Sequence, residues 1–260
     1  IDQVINSLES GDLLIVAELS RLGRNMFETL GIINQLIEKG LSILRMLGMK
    51  IKRTPSKFTL FCQILKIKQM LGRKSDEFIM SIPLLANNAQ VLMITTILTK
   101  IMAAAFLVGE MNLRALAILK FFQLSLQKGV SSMSPPAIAA YGAIESKLGN
   151  TESASRFGML ALKLMNKLCA TKTTCLTMII SVPYAMHWKL SLPDSVEHLS
   201  KAFRIGIAQG DMDSATKAAV LYIIASLYCG KNLQTLDQKC QSLCENMQTF
   251  KEVNSLDLVI

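Results

Sequence analysis

Acidic residues are missing where the positive charge is densest: Arg45 to Lys74 holds nine lysines and arginines and no carboxylate. The net charge of +9 is therefore local, since Ile1 to Gly40 carries six acidic and three basic residues. Aromatic side chains are nearly absent from the basic stretch, which argues against a base-stacking platform for single strands. Its cations suit phosphates, anionic lipid or an acidic partner domain, or simply a solvated helix face. No CxxC pair occurs among Cys62, Cys169, Cys175, Cys229, Cys240 and Cys244. They sit in apolar stretches, so buried, reduced thiols of a cytoplasmic protein are expected rather than a disulfide framework. Only Cys240 and Cys244, four apart, could share a metal with Cys229, and no histidine nearby completes the set. Paired carboxylates, HExxH, GxSxG and a dinucleotide-type glycine loop are lacking, and Gly230-Lys231-Asn232 is not a phosphate-binding loop. No cofactor and no metal site are expected.

What is present is a chain of 260 residues, 51% hydrophobic, enough for a large buried core. It opens on Ile1, inside what reads as a helix in progress, and is taken as a fragment. Gln90 to Gly109 has bilayer length with only Lys100 charged. A lysine at its centre costs about 2.5–3.5 kcal/mol on insertion, so the run is read as a helix buried between neighbours, without a membrane span.

Two regions differ in pattern. Ile1 to Leu8 is amphipathic, Gly11-Asp12 is a turn, and Leu13 to Ala17 is an apolar run suited to a buried parallel strand. After polar Glu18 to Arg24, Asn25 with Glu28 forms a capping-box pattern opening a helix with Met26, Leu30, Ile33 and Ile37 on one face, ending at Gly40. Beyond that point the pattern is helical only. Gly109, Gly129 and Gly149, then Gly210 and Gly230, close apolar runs twenty residues apart, one helix plus one turn each. Ser134 before Pro135, Pro193 with Asp194, Asp211 and Asn232 mark helix starts. The fold expected is mainly α: a solenoid of helical hairpins over residues 41–260, preceded by a short α/β segment over residues 1–40. His187-Trp188 is expected to end a helix with Trp188 filling a seam between hairpins, and the fifteen methionines to fill cores.

The sharpest chemical string is Glu18-Leu19-Ser20-Arg21-Leu22-Gly23-Arg24-Asn25-Met26, between strand and helix. Two guanidiniums three residues apart can bind phosphate oxygens and stabilise charge during phosphoryl transfer, although such a pair at a strand-to-helix junction is also a common structural feature. Together with Gly11 to Ala17 and the following Glu28, Leu30, Ile33, Leu36 and Lys39-Gly40, this stretch resembles the serine recombinases of the resolvase/invertase family. The resemblance implies that Arg21 and Arg24 belong to the cluster that holds the scissile DNA phosphate, assisting a serine near the start of that domain. That serine would precede Ile1, so this polypeptide is expected to be catalytically silent. The family's long helix for dimerisation and DNA contact is not seen after Gly40.

A second resemblance spans residues 41–260. Leu44-Arg45-Met46-Leu47-Gly48, Pro55-Ser56-Lys57, Ala140-Tyr141-Gly142, Arg156-Phe157-Gly158, His187-Trp188-Lys189, Ala202-Phe203-Arg204-Ile205-Gly206 and Gly210-Asp211 are similar to the tetratricopeptide-like region of large proteins joining Ser/Thr kinase, AAA-type ATPase and histidine-kinase domains. It implies a non-catalytic scaffold whose partners are proteins or adjacent signalling domains. The first resemblance makes DNA a partner instead, with a truncated recombinase as the alternative function.

Overall fold

The computed structural model describes residues 26–249 apart from 73, 86 and 87. The strand expected over residues 13–17, Asn25 as a cap, and Arg21 with Arg24 lie outside the described residues. Among the described residues there are eleven α-helices and no strand. We number them α1 (Met26–Met46), α2 (Lys57–Leu71), α3 (Asp76–Ser81), α4 (Ala89–Leu107), α5 (Met111–Lys128), α6 (Ser134–Lys147), α7 (Thr151–Lys167), α8 (Thr174–Ile180), α9 (Leu192–Gln209), α10 (Met212–Tyr228) and α11 (Leu233–Thr249). A π-helical turn, Ser181–Met186, continues α8.

Helix ends follow local chemistry. Gly109, Gly129, Gly149, Gly210 and Gly230 all adopt positive φ after a helix, as the spacing predicts. Gly129 is the strictest case. A Cβ there would lie 2.9 Å from the Pro83 carbonyl, where Leu84 and Val130 form an isolated parallel bridge. Ser191, Asp211 and Asn232 accept the amides of Asp194, Ser214 and Thr235, each satisfying an orphan first-turn donor. Ser56 and Asn88 do the same for α2 and α4. Ser134 differs from its expected role: it is already helical, and its Oγ accepts the Ser131 amide at 3.0 Å.

Adjacent helices pair as hairpins: α4 with α5, α6 with α7, α9 with α10. Three apolar clusters result. Ile33, Ile37, Leu41 and Leu44 of α1 pack with Leu98, Ile101 and Phe121 of α4 and α5. Phe122, Tyr141 and Phe157 meet as an aromatic trio, with centroids 4.7 to 5.6 Å apart, among Ile67, Ile79 and Leu160. Cys175, Val182, Leu199, Ala202 and Ala218 form the third. Each large apolar side chain so buried stabilises the fold by about 1.5–3 kcal/mol before entropy is counted.

Two expectations are corrected here. Gly40 does not end its helix. α1 runs on to Met46, because a residue without a side chain lets α4 approach; a Cβ would meet Ile101 at 3.2 Å. Nor is α4 buried between neighbours. Val91, Ile94, Leu98, Ile101 and Ala105 face the core, while Leu92, Met93, Phe106 and Leu107 are exposed. Its 19 residues are long and apolar enough to cross a membrane by composition, with only 33% of the most apolar window buried.

Candidate functional site

The basic stretch does not present its charges together. Arg53 reaches from the loop after α1 back to α1 and across to the turn before α5: Nε and Nη2 donate to Glu110 Oε1 at 3.0 and 2.8 Å, Nη1 to Glu38 Oε1 at 2.6 Å and Nη2 to Asn34 Oδ1 at 2.5 Å. These bonds, first that to Glu110 and then that to Glu38, raise its pKa above the ordinary value. Lys68 Nζ lies 3.5 Å from Glu145, whose carboxylate is 1% exposed and also accepts from Tyr141 and Asn150. Lys74 sits over the Phe78 ring at 4.1 Å. Arg45, Lys50, Lys52, Lys57 and Lys66 are exposed.

α2 carries Phe58, Leu60, Phe61, Ile64, Leu65 and Ile67 between its cations. The structure divides these residues. Gln63, Ile67 and Leu71 are buried, with Leu60 and Ile64 against the core, whereas Phe58, Phe61 and Leu65 are 74%, 56% and 48% exposed. Spaced i, i+3, i+7, they form an apolar stripe beside Lys57 and Lys66. The apolar positions surround the helix, so composition alone could not choose which face the neighbours would cover.

A second surface feature arises from Pro183. Proline has no amide hydrogen, and the helical ladder widens into the π turn Ser181–Met186 where it falls. Val182, Ala185 and Met186 point inward, and Gly142 and Gly158 make room for them. A Cβ on either glycine would come within 3.1 Å of Ala185 Cβ. Tyr184, His187 and Trp188 therefore point outward. Trp188 is 65% exposed and stacks on His187 at 4.9 Å, so it does not fill a seam as expected. Half-buried Arg114 has its pKa held down by burial and pulled back up by Tyr184, and its guanidinium lies 4.5 Å from the exposed Phe106 ring. Phe106 and Arg114 thus come from the α4–α5 hairpin, and Tyr184 and Trp188 from the π turn and the residues just after it. The sequence reading singled out only the last, although Pro183 was a legible sign of an interrupted helix.

Two of the expected buried thiols are also corrected: Cys62 and Cys169 are exposed, Cys169 at a positive φ of 47° just after α7. Cys175 is buried, and burial first, then Asp211, pushes its thiol up to about 12. Among the described residues no group of three or more His, Cys, Asp or Glu could hold a metal ion. A cleft of about 280 Å³ beside α9 and α10 is lined by Arg204, Tyr222 and Lys231 among others. Burial raises the pKa of the Tyr222 phenol, but the bond from Lys239 and the charges of Lys239 and Lys231 outweigh it and leave that pKa lowered.

With this geometry in view, comparison with known proteins places residues 1–75 within the family model described as Resolvase, N terminal domain. The match spans Arg21 and Arg24 and extends through α1 and α2, beyond the forty residues expected, so residues 41–75 fall within it as well as within the supposed repeat region. The tetratricopeptide-like, ATPase and kinase resemblance draws no support from this match. No curated protein and no solved structure matches the chain. The recombinase relationship accordingly rests on residues 1–75.

Proposed function

We propose that this chain is a helical binding scaffold, a tetratricopeptide-like solenoid in its later part, that carries a segment derived from a serine recombinase. The observation that supports it best is the exposure of Phe106, Tyr184 and Trp188, with half-buried Arg114 against the Phe106 ring. Tryptophan, tyrosine and arginine are the side chains that dominate protein interfaces, because they offer large contact area with few rotors and a planar cation. Holding them on separate elements gives a surface suited to a protein or a neighbouring signalling domain. Cytoplasmic residence fits exposed, unpaired Cys62 and Cys169. The test is affinity capture with the intact chain, side by side with an Arg114→Ala/Trp188→Ala variant of unchanged helicity. A partner retained by the former and lost from the latter, identified and rebound in purified form, supports the reading. Equal retention by both would refute it.

The alternative reading, a serine recombinase, is favoured by the family match alone. On that reading Arg21 and Arg24 hold a DNA phosphate. α2, at the end of the matched range, would take the part of the family's dimerisation and DNA-contact helix, with Phe58, Phe61 and Leu65 covered by a second copy. Sedimentation of the chain with Phe61→Glu separates the two readings: a dimer that becomes a monomer favours the recombinase.

A further inference from the structure

α2 packs on α5 by one face and is open on the other. The open face carries Phe58, Phe61 and Leu65, with exposed Cys62 beside them. Single apolar side chains on a surface need no explanation, but three in a row on consecutive turns do. The charges around the row have an order set by the helix. At about 100° per residue, Lys57 and Lys68 fall on one flank and Lys66 on the other, beyond Cys62. Lys68 shares its charge with Glu145, whereas Lys57 and Lys66 have no carboxylate partner among the described residues. Nearby acids are already engaged, Glu38 and Glu110 by Arg53 and Asp76 by Arg156. The sequence supplies none between Arg45 and Lys74, so the face is apolar along its middle and positive at its edges.

Each candidate occupant must satisfy both halves of that pattern. A duplex offers phosphates to the lysines but leaves Phe58, Phe61 and Leu65 against water and charge, with nothing apolar to cover them. A second copy related by a two-fold axis covers the phenyl rings, yet lays Lys57 and Lys66 against their own counterparts, and α2 has no carboxylate to meet them. An amphipathic peptide needs a groove, and the clefts beside α5 and between α9 and α10 do not include these residues. An anionic bilayer meets both demands. Its glycerol and acyl region takes apolar side chains to a depth of about 5–10 Å, and lysine stems lie along that region while their ammoniums reach the lipid phosphates. We infer that the open face of α2 is a docking surface for anionic lipid, on which the helix lies in the membrane plane. With 15 residues it presents a ridge about 22 Å long. The contact is peripheral and reversible, since three apolar side chains and two free lysines give a modest affinity.

Flotation of the full chain with vesicles tests this, one set of phosphatidylcholine alone and one with about a third phosphatidylserine, at about 50 mM and about 200 mM salt. Binding to the anionic set is expected, stronger at the lower salt, with little binding to phosphatidylcholine. Phe58→Ser/Phe61→Ser should weaken it at least about tenfold, and Lys57→Gln and Lys66→Gln about fivefold each. Lys201→Gln, which removes an exposed cation from α9, should leave it unchanged. The serine variant should melt no lower than the parent, because both rings are exposed and serine matches phenylalanine in helix propensity. Should it fail to fold, the two lysine variants decide. No binding to anionic vesicles overturns the inference, as does equal binding to both sets or binding that the serine and lysine variants leave intact. So does a lipid-free dimer that Phe58→Ser/Phe61→Ser dissociates, which gives the face to a second copy. Retention on a DNA duplex that is lost in the serine variant gives it to nucleic acid and overturns the inference equally.

Discussion

Glu145 shows how one buried charge is tolerated. Its carboxylate, 1% exposed on α6, accepts from Tyr141 at 2.7 Å and from Asn150 at 2.8 Å, and Lys68 stands 3.5 Å away across the interface with α2. A buried carboxylate that loses a donor keeps its desolvation cost, and hydrogen bonds to charged groups are worth about 1.5–3 kcal/mol. Tyr141→Phe is therefore expected to destabilise the fold by roughly that amount at pH 7, read from denaturant midpoints at constant m. The same substitution has a pH signature. Burial first, then the bond to Glu145, raises the Tyr141 pKa above its ordinary value of 10.0, so the folded state keeps a proton that the unfolded chain sheds. Stability from this group is intact below pH 10 and falls as pH rises beyond it, by about 1.4 kcal/mol per unit. In Tyr141→Phe that fall is absent, and the gap between the two proteins narrows above pH 10. Cys175 contributes a similar fall from its ordinary 9.0 toward about 12 in both proteins. A gap that stays constant with pH would show that the hydroxyl is not buried beside Glu145 as described. None of this was legible beforehand, because Tyr141 and Glu145 look like two ordinary i, i+4 residues until packing buries them.

Helix boundaries, by contrast, were largely written in the sequence. Gly109, Gly129, Gly149, Gly210 and Gly230 fall where turns occur, since a left-handed helix terminus is a local requirement that one residue type meets cheaply. Glycines inside helices obey a different rule, set by what passes over them. Gly40 was misread as a stop for that reason, and Gly142, Gly158 and Gly206 stand where another element crosses closely. A Cβ at Gly142 would lie 2.9 Å from the Ala154 carbonyl, backbone that cannot swing aside, so Gly142→Ala is expected to cost about 1–3 kcal/mol. Gly31, with nothing within 4 Å and an exposed place in α1, is the opposite case. There Ala should stabilise by about 0.5–1 kcal/mol, through propensity alone. For a chain of this size each kcal/mol moves Tm by about 2–4 °C, so calorimetry on the two variants should show shifts of opposite sign. Two decreases would mean that α1 does not sit as described.

At the scale of the whole molecule, a mainly helical fold and its hairpins were legible because hydrophobic period and glycine spacing are properties of one chain segment at a time. Surfaces were not, since they depend on which face each neighbour leaves open. Trp188, just after the π turn, was expected in a seam and faces solvent, as do Phe58, Phe61 and Leu65 on α2. The charge of the basic stretch was similarly readable in amount but not in availability. Counting nine cations between Arg45 and Lys74 predicts a strong polyelectrolyte; the fold gives Arg53 and Lys68 to carboxylates and stacks Lys74 on Phe78. Arg45, Lys50, Lys52, Lys57 and Lys66 remain exposed in the described part of that stretch. Each phosphate neutralised on duplex DNA contributes a log–log salt slope of about −0.9, so these side chains together can give at most about −4.5. They are spread over α1, a loop and α2, and simultaneous contact by all of them would demand a curved path for the duplex. A shallower slope, with little preference for sequence, is therefore expected between about 50 and 200 mM salt. Lys68→Gln, removing an ion-paired lysine, should leave the slope unchanged while lowering stability, whereas Lys66→Gln should reduce its magnitude by close to one contact. A measured slope steeper than about −5 would require cations beyond this stretch. If replacing Arg21 and Arg24 by glutamine then restored the shallow slope, the recombinase-like segment would be the DNA-binding element and the scaffold reading would fall.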